Sequence, residues 1–85
     1  MLEGLKVALL GSQIDFISLD NFMENNGYYS IADAGVLDDI KQDKNVYYTS
    51  KDDQDNILIS FDILSNNYLD NSDNFYLEVI GIDKA

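Results

Sequence analysis

Over 85 residues the chain sets sixteen carboxylates against five lysines, a formal charge of −11, and it contains no histidine, cysteine, arginine, tryptophan or proline. Those absences exclude a disulfide, a thiolate nucleophile, a sulfur-bound metal and any histidine-based triad. The charge disfavours direct contact with nucleic acid or an anionic membrane, since both are held by Lys and Arg meeting phosphate.

A hydrophobic share of 46% supports a packed core, and the length suits a single domain, residues 1–85, near the lower limit for folding without staples. High charge with low hydrophobicity signals disorder, but the many Ile, Leu, Val, Phe and Tyr residues point to a folded chain. Leu5 to Leu10 is too short for a secretory core and far too short for a membrane span. The expectation is a soluble cytoplasmic protein.

In chain order, Leu2, Leu5, Leu9 and Leu10 recur at helical spacing, with Gly11 as the stop. A second helix places Phe16, Leu19, Phe22 and Met23 on one face. Asp15 or Ser18 caps its start, and Asn26-Gly27 ends it in a left-handed turn. A third, weakened by Gly35, covers about Ala34 to Asp43 through Val36, Leu37 and Ile40. Beyond it the apolar pattern changes from helical to alternating. Val46 to Ser50 is rich in β-formers, Ile57 to Ile63 alternates, and so does Phe75 to Ile80. Turn-forming clusters at 51–56 and 65–74 separate these runs. The fold class read from this order is α+β: two or three N-terminal helices packed on one face of a C-terminal three-stranded antiparallel meander.

Parity assigns Ile57, Ile59, Phe61 and Ile63, with Phe75, Leu77 and Val79, to the face that meets the helices. The opposite face then carries Ser60, Asp62, Tyr76 and Glu78, with Tyr47 from the first strand. Leu58, Leu64, Ile80 and Ile82 share that parity, so the face is mixed: partly covered, or a contact surface.

Catalytic readings fare poorly. Acid–base chemistry needs a carboxylate in a pocket beside a second group; Asp62 alone interrupts an apolar strand, and alternation explains it. The acidic turns fail as calcium loops, which need Gly at the sixth position and Glu at the twelfth. Counting from Asp52 the sixth residue is Ile57; counting from Asp70 it is Phe75, and the twelfth is Gly81. The glycines at 4, 11, 27, 35 and 81 build no phosphate loop. The expectation is a protein that is not an enzyme and has no metal or cofactor site.

The charge distribution is more informative. Asp52, Asp53, Asp55, Asp62, Asp70, Asp73, Glu78 and Asp83 follow one another with no basic residue between them. In the expected meander the first three lie at one sheet end, Asp70 and Asp73 at the other, and Asp62 and Glu78 between them. A nine-residue strand spans about 30 Å, so this is a broad negative band. Carboxylates placed along it can occupy a basic groove built for phosphates, and steering makes capture fast. Acidity alone also serves solubility. The six tyrosines favour recognition, because Tyr offers contact area at low entropic cost; Tyr47 and Tyr76 beside Asp62 form an anchor patch. The candidate partner-binding residues are Asp52, Asp53, Asp55, Asp62, Asp70, Asp73, Tyr47, Tyr76 and Glu78.

In size, acidity and helix-then-meander layout, the chain resembles the small acidic inhibitors of phages and mobile elements, the anti-CRISPR and anti-restriction proteins. The resemblance covers the whole chain and rests on overall character, with no motif behind it. It implies a stoichiometric inhibitor of a basic, nucleic-acid-handling partner such as a nuclease, engaged by DNA mimicry. An immunity or antitoxin protein for a basic nuclease shares that mechanism. A homodimeric module pairing through Leu58, Ile80 and Ile82 is the competing reading.

Overall fold

In the computed structural model, which describes residues 2–32, 35–65 and 74–85, the helices end where local chemistry stops them. Helix α1 (Leu2–Leu9) buries Leu5 and Leu9, and Gly11 at φ +82° swings the chain away. Leu10 falls beyond the helix and stays exposed, so it does not join the apolar face its spacing indicates.

Helix α2 (Phe16–Asn25) is fixed at both ends. Its first-turn amides are all directed: Phe16 to the Phe75 carbonyl, Ile17 to Asn74 Oδ1, and Ser18 to the Asp15 carboxylate. At the far end the Gly27 amide returns to Glu24 and the Tyr28 amide to Met23, a Schellman stop with Gly27 at φ +92°. Helix α3 spans Leu37–Asp43, with Gly35 at φ +72° before it and Lys44 in the left-handed region after it. Its expected start at Ala34 lies outside the described residues.

Among the described residues, four strands form one antiparallel sheet: β1 (Gln13–Asp15), β2 (Asn45–Thr49), β3 (Asn56–Ser65) and β4 (Tyr76–Lys84), in the spatial order β1-β4-β3-β2. The last three make the expected meander. The three-strand expectation is corrected by β1, which occupies the free edge of β4. On leaving α1 the Gly11 amide donates to the Val79 carbonyl, and the Val79 amide donates to the Ser12 carbonyl. That exchange carries Gln13 opposite Glu78 and Asp15 opposite Tyr76. Three residues with one apolar side chain offer no alternation to read.

The helices share one core with the inner sheet face: Leu5, Leu9, Leu19, Met23 and Ile40 meet Val46, Tyr48, Ile57, Ile59, Phe61, Leu77 and Val79. At its centre the Phe75 ring stacks on Phe16 at 5.2 Å and tilts against Phe61 at 5.5 Å. Ile63 is only partly buried, at the margin.

Parity holds along β4 until Ile80. Ser60 pairs with Gly81 but Phe61 with Val79, so Ile80 is an extra residue, a β-bulge. The bulge reverses the facing of everything after it. Ile82 therefore turns into the core, 2% exposed, and the outward placement read from alternation is corrected. Leu64 is the extra residue of a second irregularity, between Ile63↔Leu77 and Ser65↔Tyr76.

Two polar clasps stitch the layers together. In the first, the Asp15 carboxylate takes hydrogen bonds from Ser18 Oγ and from Asn74 Nδ2, joining the start of α2 to the approach to β4. Burial pushes the Asp15 carboxyl up, but the bonds from Ser18 and Asn74 outweigh it and leave it below the usual carboxylate range. A carboxyl lowered by folding stabilises the protein above about pH 4 and loses that contribution as pH falls through its folded value. Melting temperature measured from pH 5 down to pH 2 should fall less steeply in Asp15→Asn than in the wild type. In the second clasp, Asp20 is buried and accepts from Ser30 Oγ, the Ile31 and Ala32 amides and the Tyr48 hydroxyl, at 2.5, 2.9, 3.3 and 2.9 Å. It ties α2, the 30–32 segment and β2 to one carboxylate.

Candidate functional site

Among the described residues the helices lie on the inner face and none packs on the outer face of the sheet, whose side chains fall into rows set by the strand register. One row runs Tyr47–Leu58–Asp83 and the next Asn45–Ser60–Gly81. A third runs Asp62–Glu78–Gln13, and Tyr76 follows with Asp15 on β1. Tyr47 is 60% exposed, Ile80 53% and Leu64 45%.

Asp62 and Glu78 are direct cross-strand neighbours on this face, the geometry in which like charges destabilise a sheet. Gln13 Nε2 reaches Glu78 Oε1 at 3.5 Å from the other side. Tyr76 stands two residues along from Glu78, and its hydroxyl donates to the Gln13 carbonyl at 3.3 Å. The expected anchor patch thus divides. Tyr76 flanks the carboxylate pair, whereas Tyr47 faces Leu58, four residues or about 13 Å along β3 from Asp62.

Asp52, Asp53 and Asp55 lie in the loop joining β2 to β3, as expected, but they are not equivalent. Asp52 Oδ1 accepts from Ser50 Oγ at 2.6 Å and from the Gln54 amide at 3.1 Å, bracing the turn. The Ser50 and Gln54 bonds hold its carboxyl below the usual range. Asp53 is exposed at φ +59°. Asp55 is half-buried, and its backbone and the Asp55 amide exchange bonds with Ser50. Six residues of β3 separate this loop from Asp62, about 20 Å. Asp70 and Asp73 lie outside the described residues.

Alternation along the strands could not reveal a further acidic group. Asp39 and Asp43 of α3 border a shallow pocket of about 230 Å³ with Tyr47, Val36 and Ile31, so negative charge continues around the β2 edge beside Tyr47. The signal was present in the Asp38-Asp39 and Asp43 placement on a short helix, but only α3·β2 packing brings it to the sheet. Charge also stands on the helical side, where Glu24 and Asp38 are exposed. Among the described residues, no three acidic side chains converge in a way that could hold a metal ion, and no helix is long and apolar enough to cross a membrane.

Comparison with protein-family models, with curated proteins and with solved structures returned no match for this chain.

Proposed function

We propose that the chain is a non-enzymatic binding protein whose open acidic sheet face engages a basic partner, a nuclease or another nucleic-acid-binding protein, and inhibits it by presenting carboxylates where phosphates dock. The observation that supports this reading is the Asp62–Glu78 pair. Two like charges directly opposite on the outer sheet face oppose folding, and a basic partner placed over them turns that repulsion into attraction. The aromatic and aliphatic groups around the pair, Tyr76, Ile80 and Leu64, offer contact area at the same surface.

The test is affinity capture from a bacterial lysate on the wild-type chain and on Asp62→Asn/Glu78→Gln in parallel. The reading expects a basic protein retained by the wild type, released by moderate salt, and blocked from DNA when the chain is added. Equal retention by both chains at high salt, or undisturbed DNA binding by the captured protein, sinks it. The homodimer reading loses Ile82 to the core but keeps Ile80 and half-exposed Leu58. A tight dimer that survives salt in sedimentation would favour it.

A further inference from the structure

Strand β2 is an outer strand of the sheet, and its register with β3 fixes which of its backbone groups face outward. Antiparallel pairs alternate between exchanging hydrogen bonds and turning them away. The Phe61 amide donates to the Lys44 carbonyl and the Ser50 amide to the Asp55 carbonyl, so Lys44, Val46, Tyr48 and Ser50 are the bonded positions. The N–H and C=O of Asn45, Tyr47 and Thr49 therefore point to the far side of the strand. The Thr49 carbonyl bears this out, since it accepts there from the Tyr29 amide. That cover goes no further along β2. Asp20 takes the Ser30 hydroxyl and the Ile31 and Ala32 amides, and so draws the chain off the edge. Among the described residues, none hydrogen-bonds the Tyr47 amide or carbonyl.

The gap between Ile31 and β2 is the shallow pocket of about 230 Å³, with Ile31, Val36, Ile40 and Val46 as apolar wall. Asp39 and Asp43, one turn apart on α3, stand exposed at its border. No described ammonium pairs with either carboxylate. Lys41 lies over the Phe75 ring at 5.9 Å, and neither it nor Lys44 lines the pocket. An open strand edge accepts an extended backbone. An apolar hollow bordered by carboxylates suits a long basic side chain, whose stem packs while its head group stays in water.

The other occupant that an open edge attracts is a second copy. Pairing β2 with β2 would bring Asp39 and Asp43 of both copies to one seam, between chains that each carry −11. Charge therefore selects a basic segment over self-pairing. We propose that the β2 edge takes an extended basic segment of the partner as a short added strand. Its backbone bonds to Tyr47, and one arginine or lysine stem lies in the hollow with its charge at Asp39 and Asp43. This rests on the reading of the chain as a binder of basic proteins and adds a backbone contact to it.

The probe is a capped hexapeptide of alternating arginine and valine, with its glutamate-for-arginine counterpart as comparison, titrated into the ¹⁵N-labelled chain. Before any peptide is added, the Tyr47 amide should exchange with solvent far faster than the Tyr48 amide, which bonds to β3. The arginine peptide should shift and protect the Tyr47 amide saturably, and the glutamate peptide should not. Asp39→Asn/Asp43→Asn should weaken the arginine peptide about tenfold. Only alternate amides of a strand face its neighbour. Of two derivatives methylated at every arginine or every valine nitrogen, one should therefore bind about tenfold more weakly than the other.

Slow Tyr47 exchange in the peptide-free chain, no saturable shift at Tyr47, or equal binding by either pair of peptides would overturn the site. So would unchanged affinity in Asp39→Asn/Asp43→Asn. Tyr47 protection that grows with chain concentration alone would overturn it too, and would make a second copy the occupant. Asp62→Asn/Glu78→Gln should show the same Tyr47 protection as the wild type. The edge can thus fail while salt-sensitive capture on the sheet face survives, and the sheet face can fail while the edge still binds.

Discussion

Replacing Asp20 by alanine is expected to cost about 3 kcal/mol of folding stability, a large share of the roughly 4–13 kcal/mol that a chain of this length holds in total. The carboxylate gathers the Tyr48 hydroxyl, the Ser30 hydroxyl and the Ile31 and Ala32 amides in a site that is 2% exposed. Removing it strands the buried hydroxyl of Tyr48, itself wholly inaccessible to solvent, and frees the 30–32 segment from α2. Tyr48→Phe removes one donor and leaves three, so its cost should be nearer 1 kcal/mol. Asp20→Asn should fall between the two, since an amide offers one acceptor where the carboxylate offers two. Urea unfolding of the three variants orders them; a cost for Asp20→Ala no larger than for an exposed Asp→Ala control would disprove the clasp.

The same clasp has an alkaline signature. Burial, and then the neighbouring Asp20 charge, hold the Tyr48 phenol well above its ordinary value. Above about pH 10 the unfolded chain releases a proton that the folded chain keeps. Stability is therefore whole below that pH and declines as pH rises beyond it, and Tyr48→Phe should soften the decline.

The Asp62–Glu78 pair carries the second large expectation, in which folding and binding move in opposite directions. Asp62→Asn should raise stability by about 0.5 kcal/mol by removing a like-charge cross-strand contact. The double variant Asp62→Asn/Glu78→Gln should lose at least thirtyfold in affinity for whatever basic protein the wild type captures, and its affinity should depend less on salt. Parallel unfolding curves and binding isotherms across a salt series measure both. A substitution that lowered stability would mean that a counter-charge already compensates the pair within the fold. A variant that bound as tightly as the wild type would place the partner elsewhere on the molecule.

Local patterns anticipated the inner sheet face well, because Ile57, Ile59, Phe61, Leu77 and Val79 alternate without interruption and each is buried. The rule failed at Ile80, where one inserted residue reversed the facing of Ile82. No residue type announces such a bulge; the pairing partner creates it. The α2 stop at Asn26-Gly27 and the Asp15 cap could be read from residue type, since each relies on short-range hydrogen bonds. Strand β1 could not, because its pairing partner lies more than sixty residues away.

Asp20 illustrates a signal that was visible and passed over. Spaced four residues from Phe16 and three from Met23, it sits on the apolar face of α2. A carboxylate at such a position must find donors, and Ser30 and Tyr48 were too distant in sequence to be matched to it. The acidic band was anticipated as a composition. Its division into a braced loop, an open cross-strand pair and the α3 edge came only with the register and with Asp52 turning back onto Ser50.

Strand β1 on β4, with the Phe16 amide bonded to the Phe75 carbonyl, dictates the order in which the molecule can assemble. Helices α1 and α2 are synthesised well before β4, yet the surface they rest on is completed only when β4 joins the sheet. Until then Phe16, Leu19 and Met23 have no finished platform, and the wait exposes them to chaperones or to premature association. For a chain with this much negative charge, self-repulsion guards the interval: nascent copies keep apart while their apolar faces are still bare.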